Sequence, residues 1–133
     1  MAYLVDTCVL IDYLLDRLPA RSGDWFEGLI GGGWICTSVV VYHELWTGAT
    51  TLKAQQSVKE LLAGWDIIPV DLAIACQAAE IRRMWRGKGM TLSMADALIG
   101  ATAQLYGLKL ITRNIKDFPE VPTVDPFHLE TIL

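Results

Sequence analysis

The stretch Ala2-Tyr3-Leu4-Val5-Asp6-Thr7 decides the fold that we expect for this chain. Its apolar segment, Tyr3 to Val5, predicts a short buried strand, and Asp6 stands where the chain turns into a helix. In parallel α/β sheets, ligands and chemistry gather at the carboxyl ends of the strands. Asp6 is therefore the first candidate functional residue.

Strand and helix patterns alternate along the rest of the sequence. Further strands are predicted at residues 34–36, 66–70, 109–111 and 123–124, with the third strand (66–70) at an edge because of Pro69. Six helices are predicted. The first spans residues 7–18, the second runs from a capping box at Asp24 and Glu27 to the glycines 31–33, and the third runs from a Thr37 or Ser38 cap to about residue 47. The fourth spans 52–64, the fifth runs from an Asp71 cap to near residue 87, and the sixth spans 93–106. This order predicts an α/β fold with a mostly parallel sheet and one domain over residues 1–133.

The composition describes a compact folded chain. Of 133 residues, 53% are hydrophobic and only 20% are charged, which excludes a disordered protein. A net charge of −4 opposes non-specific binding to nucleic acid or anionic membrane, although a metal ion or a local basic patch can offset it. Three cysteines, Cys8, Cys36 and Cys76, are expected to be buried and reduced. With no leader pattern and no bilayer-length apolar run, we expect a cytoplasmic protein.

Other side chains carry expectations about the core and the surface. The first helix is expected to bury a face with Cys8, Ile11, Leu15 and Leu18, and to turn Asp12 and Asp16 to solvent. The tryptophans are expected mainly in the core; they are Trp25, Trp34, Trp46, Trp65 and Trp85. A basic patch, either a solvated helix end or a contact for an RNA backbone, comprises Arg82, Arg83, Arg86 and Lys88.

Four acidic residues are candidates for chemistry, and each has an ordinary structural alternative. For Glu44 the alternative is a lysine or arginine partner, or partial exposure at the helix edge. Asp6 is also a good N-cap for the helix that follows it, and Asp96 has capping-box spacing from Ser93. Asp117 lies in a loop where an acid is usually turn chemistry. Glu44 is harder to explain, because its helical neighbours are apolar and an unpaired buried carboxylate must find a cation, hydrogen bonds or a proton.

Gathering these acids at one place favours a hard metal ion. Carboxylates held close together repel one another, and their pKa values rise unless a cation compensates. Oxygen ligands without His or Cys suit Mg²⁺ or Mn²⁺. Such an ion can activate water and stabilise the charge that develops on a phosphodiester. An acidic cluster without a glycine-rich phosphate loop favours phosphodiester cleavage over nucleotide binding.

The motifs that carry these acids resemble a known family. They are Leu-Val-Asp6-Thr7, the helix from Ser38 to Glu44, Met-Ala-Asp96-Ala-Leu-Ile, and Thr112-Arg-Asn-x-x-Asp117-Phe. In order and spacing they are similar to the PIN-domain ribonucleases, above all the VapC-type toxins of toxin–antitoxin pairs. The resemblance implies a three-layer sandwich with a five-stranded parallel sheet.

The same resemblance implies an activity, a cofactor and partners. The activity is a Mg²⁺-dependent endoribonuclease (Mn²⁺ can substitute), and the partners are RNA, a VapB-type antitoxin and a second copy of the chain. Asp6, Glu44 and Asp96 match the core acids, with Asp6 and Asp96 as direct metal ligands. Asp117 or Asn114 matches the variable fourth position.

Supporting residues and rival functions complete these expectations. Thr7 matches a hydroxyl that follows the first acid, Thr112 and Asn114 are hydrogen-bonding candidates, and Arg113 and Lys116 are phosphate contacts. One rival function is a receiver-like module whose acidic pocket accepts a phosphoryl group. The other is a PIN-like scaffold that binds a partner without cutting RNA.

Overall fold

The computed structural model describes residues 2–131 and has an α/β architecture. Over that range the chain forms five strands, six α-helices and two 3₁₀ segments. In order they are β1 (Tyr3–Val5), α1 (Thr7–Leu14), α2 (Ala20–Gly32), β2 (Ile35–Ser38), α3 (Val39–Gly48), α4 (Leu52–Leu62), β3 (Asp66–Ile68), α5 (Leu72–Gly87), α6 (Met94–Leu105), β4 (Lys109–Ile111), the 3₁₀ helix Ile115–Asp117, β5 (Thr123–Val124) and the 3₁₀ segment Pro126–Thr131.

All five strands pair in parallel in the order β3-β2-β1-β4-β5. The α/β fold with a five-stranded parallel sheet flanked by helices is therefore confirmed, as is the edge position of β3. The order reverses between β1 and β4, and such a switch point is where open α/β sheets form their crevice. A receiver module has the strand order 2-1-3-4-5, so this topology excludes the receiver-like alternative.

Small residues let α6 pack closely inside the molecule. Ala97, Ala101 and Ala103 are fully buried on this helix. A Cβ atom at Gly100 would lie 2.7 Å from Oε1 of Glu120 and 3.4 Å from the Phe118 ring. A larger residue at this position would have to displace the Glu120 side chain, so Gly100 allows α6 to lie close to Glu120 and Phe118.

Helix caps are the local signals that sequence identified best. Ser38, Asp71 and Ser93 accept hydrogen bonds from the first-turn backbone N–H groups of α3, α5 and α6. The predicted capping box at Asp24 and Glu27 is wrong, because α2 begins earlier, at Ala20 after Pro19, whose carbonyl accepts from Gly23 N–H at 2.8 Å.

The first helix also differs from its expectation. It ends at Leu14 and not near Leu18, and it leaves Ile11 and Leu15 exposed. Asp12, expected on the wet side, is only 3% exposed. It is buried because the Arg113 guanidinium donates to it at 3.1 Å. An arginine 101 residues away is a tertiary contact that helical spacing cannot reveal.

Two expectations about the core hold only in part. Trp25, Trp65 and Trp85 are half-buried and pack against the core, as expected. Trp46 is exposed, and Trp34 is more than half exposed where it precedes β2, against Gly32. Of the cysteines, only Cys36 is buried and Cys76 is exposed, although all three are free. Leucine, isoleucine, valine and alanine from both strands and helices form most of the buried core, together with Phe26 and Phe118. None of the helices in the described part of the chain has the length and hydropathy to span a bilayer.

The assignment of Asp71 as the N-cap of α5 can be tested directly. Asp71→Ala removes the carboxylate that accepts from Ile74 N–H at 2.9 Å. We expect the free energy of unfolding, measured by urea titration, to fall by about 1 kcal/mol. The control is Asp24→Ala, the same change within the exposed interior of α2, which is expected to cost less than about 0.5 kcal/mol. Equal losses in the two variants would contradict the assignment.

Candidate active site

Asp6 lies at the centre of the sheet, directly after β1. The register pairs Val5 with Ile111, and the backbone N–H of Asp6 donates to the Ile111 carbonyl at 3.0 Å. The residue that follows Ile111 is Thr112, so Asp6 and Thr112 stand side by side at the carboxyl ends of β1 and β4. This is the switch point of the sheet.

The Asp6 carboxylate is buried and held on both oxygens. Oδ1 accepts from the Thr7 backbone N–H at 2.8 Å, and Oδ2 accepts from the Thr112 hydroxyl at 2.8 Å. A usual N-cap accepts from the second or third helical residue, as Ser38, Asp71 and Ser93 do here. Among the backbone N–H groups of α1, Asp6 accepts only from the first residue, so capping does not account for its orientation toward Thr112.

Thr112 ties the loop after β4 to Asp6. Its side chain is fully buried, and its hydroxyl oxygen accepts from the Asn114 backbone N–H at 3.0 Å while donating to Asp6. Because one acceptor position is occupied by Asn114, the hydroxyl proton is directed at the carboxylate. The segment that carries Arg113 and Asn114 is therefore fixed relative to Asp6.

Glu44 reaches the same region from α3. Its Oε1 accepts from the Thr7 hydroxyl at 2.6 Å. The side chain is exposed, so the expectation that Glu44 projects into apolar surroundings is wrong. Its helical neighbours Val40 and Val41 turn inward, whereas the carboxylate lies at the open edge of the helix. The place of Glu44 in the site rests on its contact with Thr7 and on its charge beside Asp6.

Asp96 lies half-buried in the first turn of α6. Its backbone N–H donates to the Ser93 hydroxyl at 3.1 Å, which is one half of the predicted capping box. Burial raises the pKa of its carboxyl above 3.8, and the negative charge of Asp6 raises it further. The Ser93 side chain lowers that pKa, while Asp117 and Glu44 raise it. The other three candidate acids, Asp6, Glu44 and Asp117, therefore lie within electrostatic reach of Asp96.

The pKa of Asp6 is raised for the same reasons. Burial is the largest cause, and the charge of Glu44 adds to it. The hydrogen bonds from Thr112, Thr7 and Cys8 partly offset the rise because they stabilise the ionised form.

The fourth position is shared by two residues of one tight turn. Asp117 ends the 3₁₀ helix, is partly buried, and donates its backbone N–H to the Asn114 carbonyl at 3.0 Å. The Asn114 side chain is exposed and does not cap this helix. Asp117 acts on the pKa of Asp96, which makes it the better-supported fourth acid.

The residues present fit a hard cation, although they do not form a ready-made cage. Within residues 2–131, no three His, Cys, Asp or Glu side chains are arranged so that they could hold a metal ion. The ion pairs of that range involve Asp12, Glu80 and Asp125 and leave the four acids without a cationic partner. A buried carboxylate among like charges, in an all-oxygen donor set, is the environment that Mg²⁺ or Mn²⁺ compensates.

The basic residues expected near a substrate have different partners. Arg113 binds the buried Asp12 and lies over the Phe127 ring, with 4.4 Å between its Cζ and the ring centroid. In the basic patch, Arg82 donates to the Leu92 carbonyl at 3.1 Å and Arg83 pairs with Glu80. These contacts anchor the end of α5. Lys116 is exposed beside Asp117.

Two clefts border the acids, and sequence reasoning identified neither. One, of about 500 Å³, lies between α1, α3 and α4 and contains Glu44, Ile11 and Leu15. The other, of about 570 Å³, is lined by Cys8, Arg113, Asn114, Asp125, Phe127 and His128. Asp12 and Phe127, which position Arg113, were also missed. The one sequence signal for a role of Asp12 is the presence of an acid among the apolar residues of α1, and Phe127 has no such signal.

Comparisons with known proteins agree with this geometry. The family model for the PIN domain matches residues 3–124. Ribonuclease VapC10 of Mycobacterium tuberculosis is 34% identical over 92% of this chain and 90% of its own length. The chain therefore belongs to the PIN-domain family, within its VapC branch.

Solved structures extend the likeness to three dimensions. A toxin–antitoxin complex from Klebsiella pneumoniae contains a chain 32% identical to this one, with a TM-score of 0.72 and coverage of 94% of this chain and 98% of that chain. FitAcB from Neisseria gonorrhoeae is 30% identical, with a TM-score of 0.77 and coverage of 96% and 99%.

The electrostatics of Asp6 can be tested by its titration. In the metal-free protein, the carboxyl ¹³C resonance of Asp6 should titrate above 3.8. Thr112→Val removes the hydroxyl that stabilises the ionised form, so the pKa should rise further. Glu44→Gln removes a negative charge, so the pKa should fall.

The same shift sets a pH dependence of stability. Because the folded-state pKa of Asp6 lies above its unfolded value, the folded state binds the proton more tightly. The metal-free protein should gain stability as the pH falls through that folded pKa toward 3.8. A titration of Asp6 at or below 3.8 would contradict both statements.

Proposed function

We propose that this chain is a metal-dependent endoribonuclease, the toxin of a type II toxin–antitoxin pair, which hydrolyses RNA phosphodiester bonds in the cytoplasm. The observation that carries the proposal is the buried Asp6 carboxylate at the sheet's switch point, with Glu44, Asp96 and Asp117 in electrostatic reach. The name of the relative from Mycobacterium tuberculosis, a ribonuclease, supports the same activity.

Each acid has a proposed task. Asp6 and Asp96 would hold Mg²⁺, or Mn²⁺ in its place, with Glu44 and Asp117 completing the site. The bound ion would supply an activated water and would neutralise charge on the phosphodiester. Thr112 orients Asp6 and Thr7 orients Glu44 through the hydrogen bonds described above. Lys116 would place positive charge near the RNA backbone, whereas the Arg113 charge is already paired with Asp12. The proposed products carry a 5′-phosphate and a 3′-hydroxyl.

RNA cleavage by the purified chain tests this proposal. Structured RNA incubated with Mg²⁺ should be cut, and EDTA or Asp6→Asn should stop the reaction. Glu44→Gln should also abolish cleavage while the fold remains intact, since the Glu44 side chain is exposed. Gel electrophoresis reports the cleavage and circular dichroism the fold.

Three results would contradict parts of this proposal. Cleavage that persists unchanged with EDTA and in Asp6→Asn would exclude the metal mechanism. A folded, intact protein that binds Mn²⁺ neither before nor after RNA addition and cuts no RNA would instead favour the scaffold alternative. Unfolding of Glu44→Gln would make Glu44 a structural residue.

The cleft between α1, α3 and α4 supports a VapB-type antitoxin as the partner. It is lined largely by apolar side chains, and Ile11 and Leu15 are 40% and 54% exposed there. Glu44 borders the same cleft. An apolar segment of the antitoxin would cover this surface and present an arginine to Glu44 and the other acids. The Klebsiella pneumoniae relative is itself part of a toxin–antitoxin complex.

A charge placed in that cleft tests the partner surface. Leu15→Lys should weaken binding of the antitoxin encoded beside this gene by about tenfold or more, because an apolar side chain worth about 1.5–3 kcal/mol is lost. Trp34→Lys is the control, since Trp34 is 56% exposed just before β2 and outside the cleft. Titration calorimetry measures both. Equal affinity of Leu15→Lys and the unmodified chain would exclude the cleft.

A homodimer is the proposed state of the assembled protein. Exposed apolar side chains on α5 and α6, among them Leu72, Met84 and Leu105, provide a surface that a second copy could cover. Sedimentation analysis would distinguish a dimer from a monomer.

A further inference from the structure

We propose that the cleft beside Asp6 is a subsite for one unpaired nucleobase of the RNA, a proposal that rests on the proposed function. The cleft, here called the base cleft, has a volume of about 570 Å³, within the usual range for small-molecule sites. Its lining combines an aromatic ring, a guanidinium, an amide, an imidazole and a carboxylate, from Phe127, Arg113, Asn114, His128 and Asp125. These are the groups that stack on bases and read their edges.

The base cleft adjoins the proposed reaction centre. Cys8, in its wall, lies 3.7 Å from Oδ2 of Asp6 and 3.9 Å from the Thr112 hydroxyl. The Asn114 backbone is held on that same hydroxyl at 3.0 Å. A nucleotide whose phosphate lies at Asp6 would therefore have its own base, or that of its neighbour, at the mouth of this cleft.

A stacking platform is already in place. Arg113 lies 4.4 Å from the Phe127 ring centroid, and the buried Asp12 holds it at 3.1 Å. Asp125 in turn fixes the Phe127 backbone, accepting its N–H at 2.9 Å. The guanidinium and the ring are both fixed before any ligand arrives, which lowers the ordering cost of binding.

One side chain is available to read the base. Among residues 2–131, no hydrogen bond involves the side-chain amide of Asn114, which is exposed in the cleft wall. An amide offers both a donor and an acceptor, so it can pair with a base edge in the bidentate manner of Asn.

The charges in the cleft favour a base over a phosphate group. The Arg113 charge is already paired with Asp12, and the Asp125 carboxylate faces the His128 imidazole at 3.8 Å. At a pH where that imidazole is neutral, Asp125 adds a negative charge to the wall. A second phosphate would be repelled there, whereas a neutral aromatic base would not. The base cleft would thus select the nucleotide next to the cut, while the acids perform the cleavage.

Cleavage of a randomised single-stranded RNA, with sequencing of the product ends, tests the selection. The unmodified chain should show a base preference at one position beside the cut. Phe127→Leu should lower the cleavage rate at limiting RNA at least about fivefold, and Asn114→Ala should flatten the preference at that position. Trp34→Leu, an equivalent loss of an exposed aromatic at the opposite, amino-terminal edge of the sheet, should change neither.

Binding without cleavage separates this proposal from the proposed function. In the metal-free protein, the four ribonucleoside 5′-monophosphates should shift the NMR resonances of the Asn114 amide and the Phe127 ring, unequally among the bases. Inorganic phosphate should not. Such shifts in a chain that cuts no RNA would retain the subsite and reject the nuclease.

Several results would overturn the subsite itself. They are RNA cleavage with the same base preference in Phe127→Leu and Asn114→Ala, no resonance shift with any of the four nucleotides, or shifts that inorganic phosphate reproduces. If Phe127→Leu loses its fold, Asn114→Ala carries the test alone, because Asn114 is exposed and its side chain holds no part of the structure.

Discussion

The hydrogen bond from Thr112 to Asp6 is the contact on which the site depends. It joins the ends of two neighbouring parallel strands, β1 and β4, across the point where the strand order reverses. The register of the two strands leaves these residues side by side, and burial of both excludes water as a competitor. The same hydroxyl accepts from the Asn114 backbone N–H, and the Arg113–Asp12 contact holds the loop after β4 as well. A slip of one residue between β1 and β4 would separate the acid from its donor and the loop from both.

The candidate site has a cost to the fold. Burial and neighbouring negative charges raise the pKa values of Asp6 and Asp96, which means that their ionised forms destabilise the metal-free protein at neutral pH. The described ion pairs leave these charges unneutralised by lysine or arginine. Burial of small residues on α6 and of apolar side chains on β1, β2 and β4 offsets this loss of stability. Such electrostatic destabilisation is typical of sites that serve catalysis at the expense of stability.

Sequence predicted what depends on local chemistry. Asp6 follows an apolar strand, and the caps at Ser38, Asp71 and Ser93 are short-range signals that the structure confirms. The alternation of strands and helices predicted the parallel sheet.

Contacts between residues far apart in the sequence account for the predictions that the structure contradicts. Asp12 looked like a solvent-facing acid because its partner, Arg113, lies far along the chain. Glu44 looked buried because its helical neighbours are apolar, yet the helix edge exposes it. The large apolar side chain of Trp34 predicts a core position, but this residue lies just before β2 and is more than half exposed. Residues from three or more separate parts of the chain line each cleft, so no single stretch of sequence predicts either of them.

The short outer strands have a consequence for the behaviour of the chain in concentrated solution. β3 has three residues and is followed by Pro69, and β5 has only two. Exposed strand edges are templates for intermolecular pairing and aggregation, and brevity and proline both limit that pairing. Since Pro69 has no N–H to donate, another molecule finds little backbone on which to extend this sheet. Self-association through β-sheet extension is therefore disfavoured, and contacts between copies are left to the helical surfaces.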